Sequence, residues 1–213
     1  MVMARTRKPA PIKTNITWYP PKCWITHIAH CFQKSFAHQK IPPWANNAKW
    51  TDMMLGKKET KRSDGIFGKI AKEMDLYVDH EFMRDQVWWM YDEEQYSVLG
   101  GENIWRIYAV VEVENNWSTI QTEINQLFHL RASLRIGVFY PPSSITIEEA
   151  RDRVERSIPK HSRQVDDEFL MILIPENDSM PRYFKLKSGD PIMDPIMEEL
   201  DNPVSICDCY YCR

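Results

Sequence analysis

The segment IWRIYAVVEVEN, residues 104–115, limits the fold more than any other part of this sequence. Its middle is almost continuously apolar, which is typical of a central β-strand that is buried on both faces. Side chains alternate along a strand, so Glu112 and Glu114 point to the same face at its end. Charges in such a place are costly unless they are paired or bound to a metal ion. This strand end is therefore the first candidate site.

The flanking segments predict an alternation of helices and strands around this central strand. Helices are expected within residues 22–40, 64–75, 117–132 and 146–158. Strands are expected within residues 76–82, 84–92, 134–140, 168–174 and 182–187. The first helix carries an apolar stripe of Ile25, Ile28, Phe32 and Phe36. Residues 41–65 contain proline and Asp-Gly turn signals and are predicted to form a loop, from which Asp64 caps the next helix.

This order of elements predicts an α/β fold. A hairpin and a third strand, followed by a helical crossover into a fourth strand, indicate a mixed central β-sheet flanked by helices on both faces. The length of 213 residues fits one domain with additions. We assign residues 1–63 to an N-terminal arm and helical extension, 64–190 to the core, and 191–213 to a C-terminal cysteine-bearing appendage.

The composition indicates a folded, soluble protein, because 43% of the residues are hydrophobic and 27% are charged. No apolar run of about 18 residues is present, so no membrane span is expected. The N-terminus lacks the apolar region of a signal peptide. Five cysteines, an odd number without a secretory signal, favour the reducing environment of the cytoplasm.

Basic residues are concentrated locally, although the formal net charge of -3 excludes a strong overall attraction to nucleic acid. The segment GKKETKR carries Lys57, Lys58, Lys61 and Arg62 against a single acid. Such a loop can contact phosphate groups, and it can equally be an ordinary solvated loop.

Polar residues on the helix after the acidic strand have two interpretations as well. Gln121 points either toward a bound phosphate or into solvent. Arg131 and Arg135 either contact a DNA backbone or occupy the C-terminal end of that helix, which favours cations.

A third acid, Asp85, stands immediately before the apolar part of the preceding strand. Antiparallel pairing brings the start of one strand to the end of the next, so Asp85 is expected close to Glu112. Carboxylates grouped in this way suit Mg²⁺ or Mn²⁺, which prefer oxygen ligands. Glu73, near the end of the preceding helix, is a candidate for a further acid or for a hydrogen bond to a metal ligand.

The order helix–β–β–β–helix–β, with an Asp at the start of the second strand and an acid-x-acid at the end of the third, resembles the PD-(D/E)XK nuclease superfamily. The resemblance implies that Asp85 and Glu112 are ligands of Mg²⁺ or Mn²⁺. It also implies that Glu114 orients or deprotonates the attacking water, and that Glu73 is the acid often found on the first core helix. It covers roughly residues 64–140.

The resemblance implies a restriction-endonuclease-like core. It also implies a metal-dependent nuclease that hydrolyses phosphodiester bonds, with DNA as the expected nucleic acid. Formation of a homodimer is left open. Two positions depart from the pattern. Glu114 stands where the superfamily usually has lysine, as in some type II restriction endonucleases, and Arg84 replaces the proline before Asp85. The alternative is a non-catalytic interaction module on the same fold, because Glu-x-Glu at a strand end is also typical of a solvated edge.

The cysteines form a separate pattern. The C-terminal CDCYYC contains three thiols that can hold Zn²⁺ if a further ligand folds back: Cys207, Cys209 and Cys212. Candidates for that ligand recur at four-residue steps near the first helix: Cys23, His27 and Cys31, with His30 adjacent. These residues are expected on the side opposite the apolar stripe. The two interpretations are a structural zinc site that joins the termini, and a cysteine-bearing tail beside an ordinary polar helix face.

Overall fold

A computed structural model describes residues 24–37, 47–57, 64–79, 85–91, 105–159, 168–176, 180–186 and 194–200. The helices in these residues are α1 (Trp24–Ala37), α2 (Asn47–Leu55), α3 (Ile66–Glu73), α4 (Ile120–His129) and α5 (Ile147–Ser157). The strands are β1 (Tyr77–Asp79), β2 (Gln86–Tyr91), β3 (Trp105–Glu114), β4 (Leu134–Phe139), β5 (Glu168–Leu173), β6 (Arg182–Leu186) and β7 (Met197–Glu199). Across these ranges, no helix combines the length and apolar character needed to cross a bilayer.

The strands form one mixed sheet whose spatial order follows the order in the chain. β1, β2 and β3 form an antiparallel meander, β3, β4 and β5 run parallel, and β6 and β7 return antiparallel. Parallel neighbours require crossover connections, and α4 and α5 supply them between β3 and β4 and between β4 and β5. The predicted mixed sheet, with β3 in its interior, is confirmed.

Helices cover both faces of the sheet, as the sequence predicts. One core joins the sheet to α1, α2 and α3, and the other joins it to α4 and α5. We call these two sides the α1–α3 face and the α4–α5 face. Strand alternation divides β3 between them, because Val111 packs in the first core and Val110 in the second. Both crossover helices lie on one face, as expected for right-handed crossovers between parallel strands that advance in one direction.

The helix α2 lies where a loop was predicted, so the prediction for residues 41–65 is wrong in this part. Its buried residues, Trp50, Met54 and Leu55, span fewer than two helical turns. So short a pattern gives a weak periodic signal beside the neighbouring proline and glycine. The helix is stabilised by packing instead, and the indole of Trp50 meets the ring of Tyr140 edge-on at 4.4 Å between centroids.

The prediction that Asp64 caps α3 is also wrong. The N-cap position is occupied by Gly65, without a side-chain hydrogen bond, and Asp64 Oδ1 instead accepts the backbone N–H of Lys57 at 3.0 Å. A Cβ atom on Gly65 would lie 2.2 Å from the backbone nitrogen of Gly56. The close approach of α2 to the start of α3 therefore requires glycine at position 65.

The strand β7 was not predicted. It lies within the segment 191–213, and the described part of that segment, residues 194–200, adds β7 to the edge of the sheet beside β6. The backbone N–H of Met197 donates to Glu155 Oε1 on α5 at 2.6 Å. Three residues are too few for a period-two pattern, so this strand depends on its neighbours.

Candidate functional site

The carboxylate of Asp85 lies at the end of β3. Gln86 pairs with Val111 in the antiparallel register, so the next positions, Asp85 and Glu112, oppose each other where β2 begins. Asp85 Oδ2 accepts the backbone N–H of Val113 at 2.8 Å. The structure thus brings together the first two acids of the proposed group, from positions 27 residues apart in the chain (112 minus 85).

Glu112 is a buried carboxylate, with only 5% of its surface exposed. Alternation from Val110 directs it to the α4–α5 face, and its neighbour on the parallel strand β4 is Gly137. A Cβ atom on Gly137 would lie 2.6 Å from the ring of Phe139 and 3.2 Å from that of Phe169. Aromatic rings therefore occupy the space beside Glu112, where a carboxylate is costly without compensating interactions.

Glu114 follows Glu112 on the same face and is half-buried. Its Oε1 accepts the backbone N–H of Asn116, and Asn116 Oδ1 accepts the N–H of Ser118 at 3.1 Å. These bonds form the corner between β3 and α4. Glu114 therefore contributes to the turn, in addition to any role that the resemblance assigns to it.

Glu73 is not brought to the other acids. It ends α3 on the α1–α3 face, is exposed, and lies four residues before Tyr77. Tyr77 pairs with Trp89, toward the end of β2 that is remote from Asp85. Glu73 therefore lies on the opposite face and toward the opposite end of the strands. The sequence suggested proximity because it indicated that Glu73 was near a helix end, without showing which end of the sheet that helix faced.

Glu73 lies close enough to His27 of α1 for its charge to act on that side chain. Burial lowers the pKa of His27, and the nearby His30 lowers it further, whereas the charge of Glu73 opposes both effects. Cys31 Sγ lies 3.6 Å from His27 Nε2. The other proposed zinc ligands lie outside the described residues: Cys23, Cys207, Cys209 and Cys212.

The start of the basic loop is held near Asp85 by a residue that the sequence analysis missed. Gln86 is fully buried, and its Nε2 donates to the carbonyl of Leu55, at the end of α2, at 2.7 Å. Its Oε1 accepts the indole N–H of Trp88 at 3.1 Å. Lys57 follows Leu55 by two residues and is exposed. The sequence signal that could have identified Gln86 is a polar residue at the start of a buried strand, next to a candidate acid.

Among Gln121 and the four basic residues of the segment GKKETKR, only Lys57 and Gln121 fall within the described ranges. Lys57 lies at the Asp85 end of the sheet, and Gln121 is exposed in the first turn of α4. Lys58, Lys61 and Arg62 lie outside the described residues, in the segment that connects Lys57 to Asp64. The hydrogen bond between Lys57 and Asp64 brings the two ends of this segment together.

Two roles were considered for Arg135, a contact with a DNA backbone and a position at the C-terminal end of the helix. The structure shows the second. Arg135 is 3% exposed, and its guanidinium donates to the carbonyls of Leu127, Leu130 and Ala132 at 3.1 to 3.3 Å. The same group lies 4.7 Å from the ring centroid of Phe128. Arg135 therefore holds the C-terminal end of α4, whereas Arg131 is exposed.

The loops after β4 and β5 meet at the same end of the sheet. The backbone N–H of Ser143 donates to Glu176 Oε2 at 3.0 Å, and the hydrogen bonding from Ser143 lowers the pKa of Glu176. The carboxyl ends of parallel strands are the usual location of ligand sites in α/β proteins. This end also carries Asp85 and Glu112.

Within the described ranges, no cluster of three or more His, Cys, Asp or Glu side chains is arranged to hold a metal ion. Comparison with known proteins adds no assignment: no family model matches this chain, and no curated protein sequence is significantly similar to it.

Proposed function

We propose that this protein is a metal-dependent nuclease with a restriction-endonuclease-like core, and that it hydrolyses phosphodiester bonds in DNA. The observation that carries the proposal is the hydrogen bond of 2.8 Å from the Val113 N–H to Asp85 Oδ2. Through it, an acid from the start of β2 reaches the strand end that carries Glu112 and Glu114. The burial of an apolar strand does not by itself require a group of carboxylates at its end.

The order of elements supports the proposal. A helix (α3), three antiparallel strands (β1 to β3), a crossover helix (α4) and a parallel strand (β4) follow one another, and β3 lies between β2 and β4. This is the order on which the resemblance to the PD-(D/E)XK superfamily rests. The acids lie at the carboxyl end of β3, where α/β proteins commonly bind ligands.

The carboxylates fit a hard divalent cation by their chemistry. Each carboxylate has two oxygens with about four acceptor positions, so the bond from Val113 to Asp85 is compatible with binding a cation. Asp85 and Glu112 would hold Mg²⁺ or Mn²⁺. Such an ion, when bound, lowers the pKa of water and stabilises charge on a phosphoryl oxygen. The buried position of Glu112 favours this role, because a nearby cation offsets the cost of burying its charge.

The protein's own side chains would do the remaining work. Glu114, on the same face as Glu112, would orient the attacking water, while its bond to Asn116 restricts its position. Lys57 and the rest of the basic segment would contact the phosphate backbone, which fixes register without reading sequence. The bond between Gln86 and Leu55 holds the start of that segment near Asp85.

The test is cleavage of supercoiled plasmid, single-stranded DNA and single-stranded RNA in Mg²⁺ or Mn²⁺, with EDTA as the metal-free control. We expect nicking of plasmid that requires the divalent ion. In Glu112→Gln the rate should fall by about 100-fold or more, because the ion supplies several kcal/mol and each factor of ten corresponds to about 1.4 kcal/mol.

The matched control is Glu148→Gln, which makes the same change at an exposed position in the first turn of α5. It should cleave like the wild type, and thermal unfolding should show that both variants are folded. Cleavage of RNA alone would redirect the substrate assignment. If no nucleic acid is cleaved and calorimetry detects no divalent-ion binding, the catalytic proposal is wrong and the interaction module is the better interpretation.

A further inference from the structure

The C-terminal end of α2 is held by a side chain from β2. Leu55 is the last residue of this helix, and the carbonyls of a last helical turn have no partner within the helix. Gln86 Nε2 donates to the Leu55 carbonyl at 2.7 Å, and Gln86 Oε1 accepts the indole N–H of Trp88 at 3.1 Å. Gln86 is fully buried, so water does not compete for these bonds. The first residue of β2 therefore fixes the end of α2.

The turn that follows Leu55 is fixed as well. Gly56 has a φ of 94°, and its N–H donates to the Asp52 carbonyl at 2.8 Å, as in the left-handed glycine motif that ends many helices. The next N–H, from Lys57, donates to Asp64 Oδ1 at 3.0 Å. The chain therefore reaches Lys57 along a path that is held by these two bonds and by the bond from Gln86.

Lys57 is the point at which this path reaches the surface. Met54, Leu55 and Gly56 are buried, whereas Lys57 is exposed. Its backbone is ordered by the contacts described above, so less conformational freedom is lost when its ammonium group binds a ligand. An exposed cation on a fixed backbone is suited to contact a phosphate group, which lysine binds as a point charge.

The same strand start connects Lys57 to the acids at the end of β3. Asp85 and Gln86 are consecutive in the chain. The side chain of Gln86 bonds to the end of α2, while the carboxylate of Asp85 accepts the N–H of Val113 on β3. One pair of neighbouring residues thus relates the position of the basic residue to that of the acidic site.

We propose that Gln86 is a positioning residue for DNA binding, which holds Lys57 where its ammonium group contacts one phosphate of the bound strand. Gln86 acts through the Leu55 carbonyl and does not itself touch the DNA. The inference rests on the proposed function for the identity of the ligand, but it requires DNA binding rather than cleavage. It involves Lys57 alone among the basic residues of the segment GKKETKR.

The salt dependence of DNA binding separates this role from a general contribution to stability. Each phosphate that a protein neutralises on B-DNA contributes about 0.9 to the slope of the logarithm of affinity against the logarithm of salt concentration. Gln86 is uncharged and fully buried, so its replacement by another uncharged residue changes that slope only by moving a charged residue. A loss of stability alone lowers the folded fraction and leaves the slope of the folded protein unchanged.

The experiment measures the binding of the full-length protein to a fluorescent DNA duplex between about 50 and 200 mM salt, in EDTA to prevent metal-dependent cleavage. Lys57→Met should lower the slope by about 0.9, which reduces the affinity change over this salt range by about 3.5-fold. Gln86→Met should lower the slope by the same amount. The double variant should lower it no further, because both changes remove one and the same contact.

Two controls match these variants. Lys72→Met makes the same change at an exposed position in the last turn of α3, away from the Asp85 end of the sheet, and should keep the wild-type slope. Leu127→Ala creates a cavity in the core of the α4–α5 face and destabilises the fold without touching α2. It should also keep the wild-type slope. Thermal unfolding should show that every variant is folded at the assay temperature.

A second pair of variants tests the same contact if Gln86→Met does not fold. Asp64 is exposed, so changes at this position should be better tolerated. Asp64→Asn and Asp64→Ala both remove the charge, but only Asp64→Asn retains an oxygen that can accept the Lys57 N–H. The slope in Asp64→Ala should therefore be smaller than that in Asp64→Asn, by up to about 0.9.

The outcomes distinguish this inference from the proposed function. A wild-type slope in Gln86→Met would overturn the positioning role, as would equal slopes in the two Asp64 variants. A fall of about 1.8 in the double variant would mean that Gln86 acts on a different charged residue, which also overturns it. The expected slopes without any cleavage in Mg²⁺ or Mn²⁺ would support the positioning role and contradict only the nuclease. A wild-type protein that binds no DNA would overturn both.

Discussion

Asp85 uses its side chain to bond the backbone of Val113 at 2.8 Å, at the point where the ladder between β2 and β3 begins. The carboxylate stands in for a backbone carbonyl and continues the pairing by one position. It has two separable properties, because it accepts a hydrogen bond for the fold and carries charge for the proposed cation site. Substitutions that remove one property or both can distinguish them.

The first prediction separates the hydrogen-bonding role of the Asp85 side chain from its charge. In Asp85→Asn the amide oxygen can still accept the Val113 N–H, so the free energy of unfolding should change by less than about 1 kcal/mol. Asp85→Ala removes the acceptor and should lower it by about 1–2 kcal/mol. Both variants should lose Mn²⁺ binding, because neither carries the charge. Urea denaturation and calorimetry measure the two effects, and Mn²⁺ binding in Asp85→Asn equal to that of the wild type would contradict the metal-ligand role.

The second prediction concerns Gln86, which links β2 to the end of α2. Gln86→Met keeps the shape of the side chain but removes the donor to the Leu55 carbonyl and the acceptor for the Trp88 N–H. Leaving these buried groups without those bonds should lower the free energy of unfolding by about 2–4 kcal/mol. The same change at the exposed Gln121 should cost less than about 0.5 kcal/mol. Equal effects in the two variants would show that the buried bonds contribute nothing.

The third prediction concerns Arg135. Arg135→Met retains most of the buried stem and removes the guanidinium that bonds three carbonyls at the end of α4. We expect a loss of about 2–4 kcal/mol, measured by urea denaturation, because charge-assisted bonds at a buried site are costly to remove. Arg131→Met, at an exposed position, should be within about 0.5 kcal/mol of the wild type. A stable Arg135→Met variant that binds DNA weakly would instead favour the phosphate-contact interpretation.

The fourth prediction is a dependence of stability on alkaline pH. Tyr183 is 3% exposed, its hydroxyl has no hydrogen-bond partner among the described residues, and burial raises its pKa. Above about pH 10 tyrosine ionises in the unfolded chain but not at this buried position, so stability is lost as the pH rises. One such group lowers the free energy of unfolding by about 1.4 kcal/mol at pH 11.

Tyr183→Phe should therefore be as stable as the wild type or more stable at pH 8, since it removes a buried hydroxyl that lacks a partner. It should also reduce the fall in stability between pH 9 and pH 11, as measured by denaturant unfolding at each pH. Some fall should remain, because burial also raises the pKa of Tyr140. A Tyr183→Phe variant with the same alkaline slope as the wild type would show that Tyr183 does not cause it.

The sequence by itself determined the elements whose residues carry their own periodic signal. The apolar middle of β3, the stripe of α1 and the hairpin of β1 with β2 are all present in the structure. The approach of Asp85 to the end of β3 was also predictable, because antiparallel pairing between consecutive strands fixes which ends meet. These features depend on local spacing and on pairing between strands that are consecutive in the chain.

Only the tertiary structure decided the features that depend on contacts between distant segments. The helix α2 and the strand β7 are too short to show a period, and they exist because neighbouring elements cover them. Local patterns likewise do not show toward which end of the sheet Glu73 lies. They also do not show the hydrogen bond between Gln86 and Leu55, which are 31 positions apart in the chain. Spacing along the chain determines which face a side chain occupies, whereas packing in three dimensions determines what that face meets.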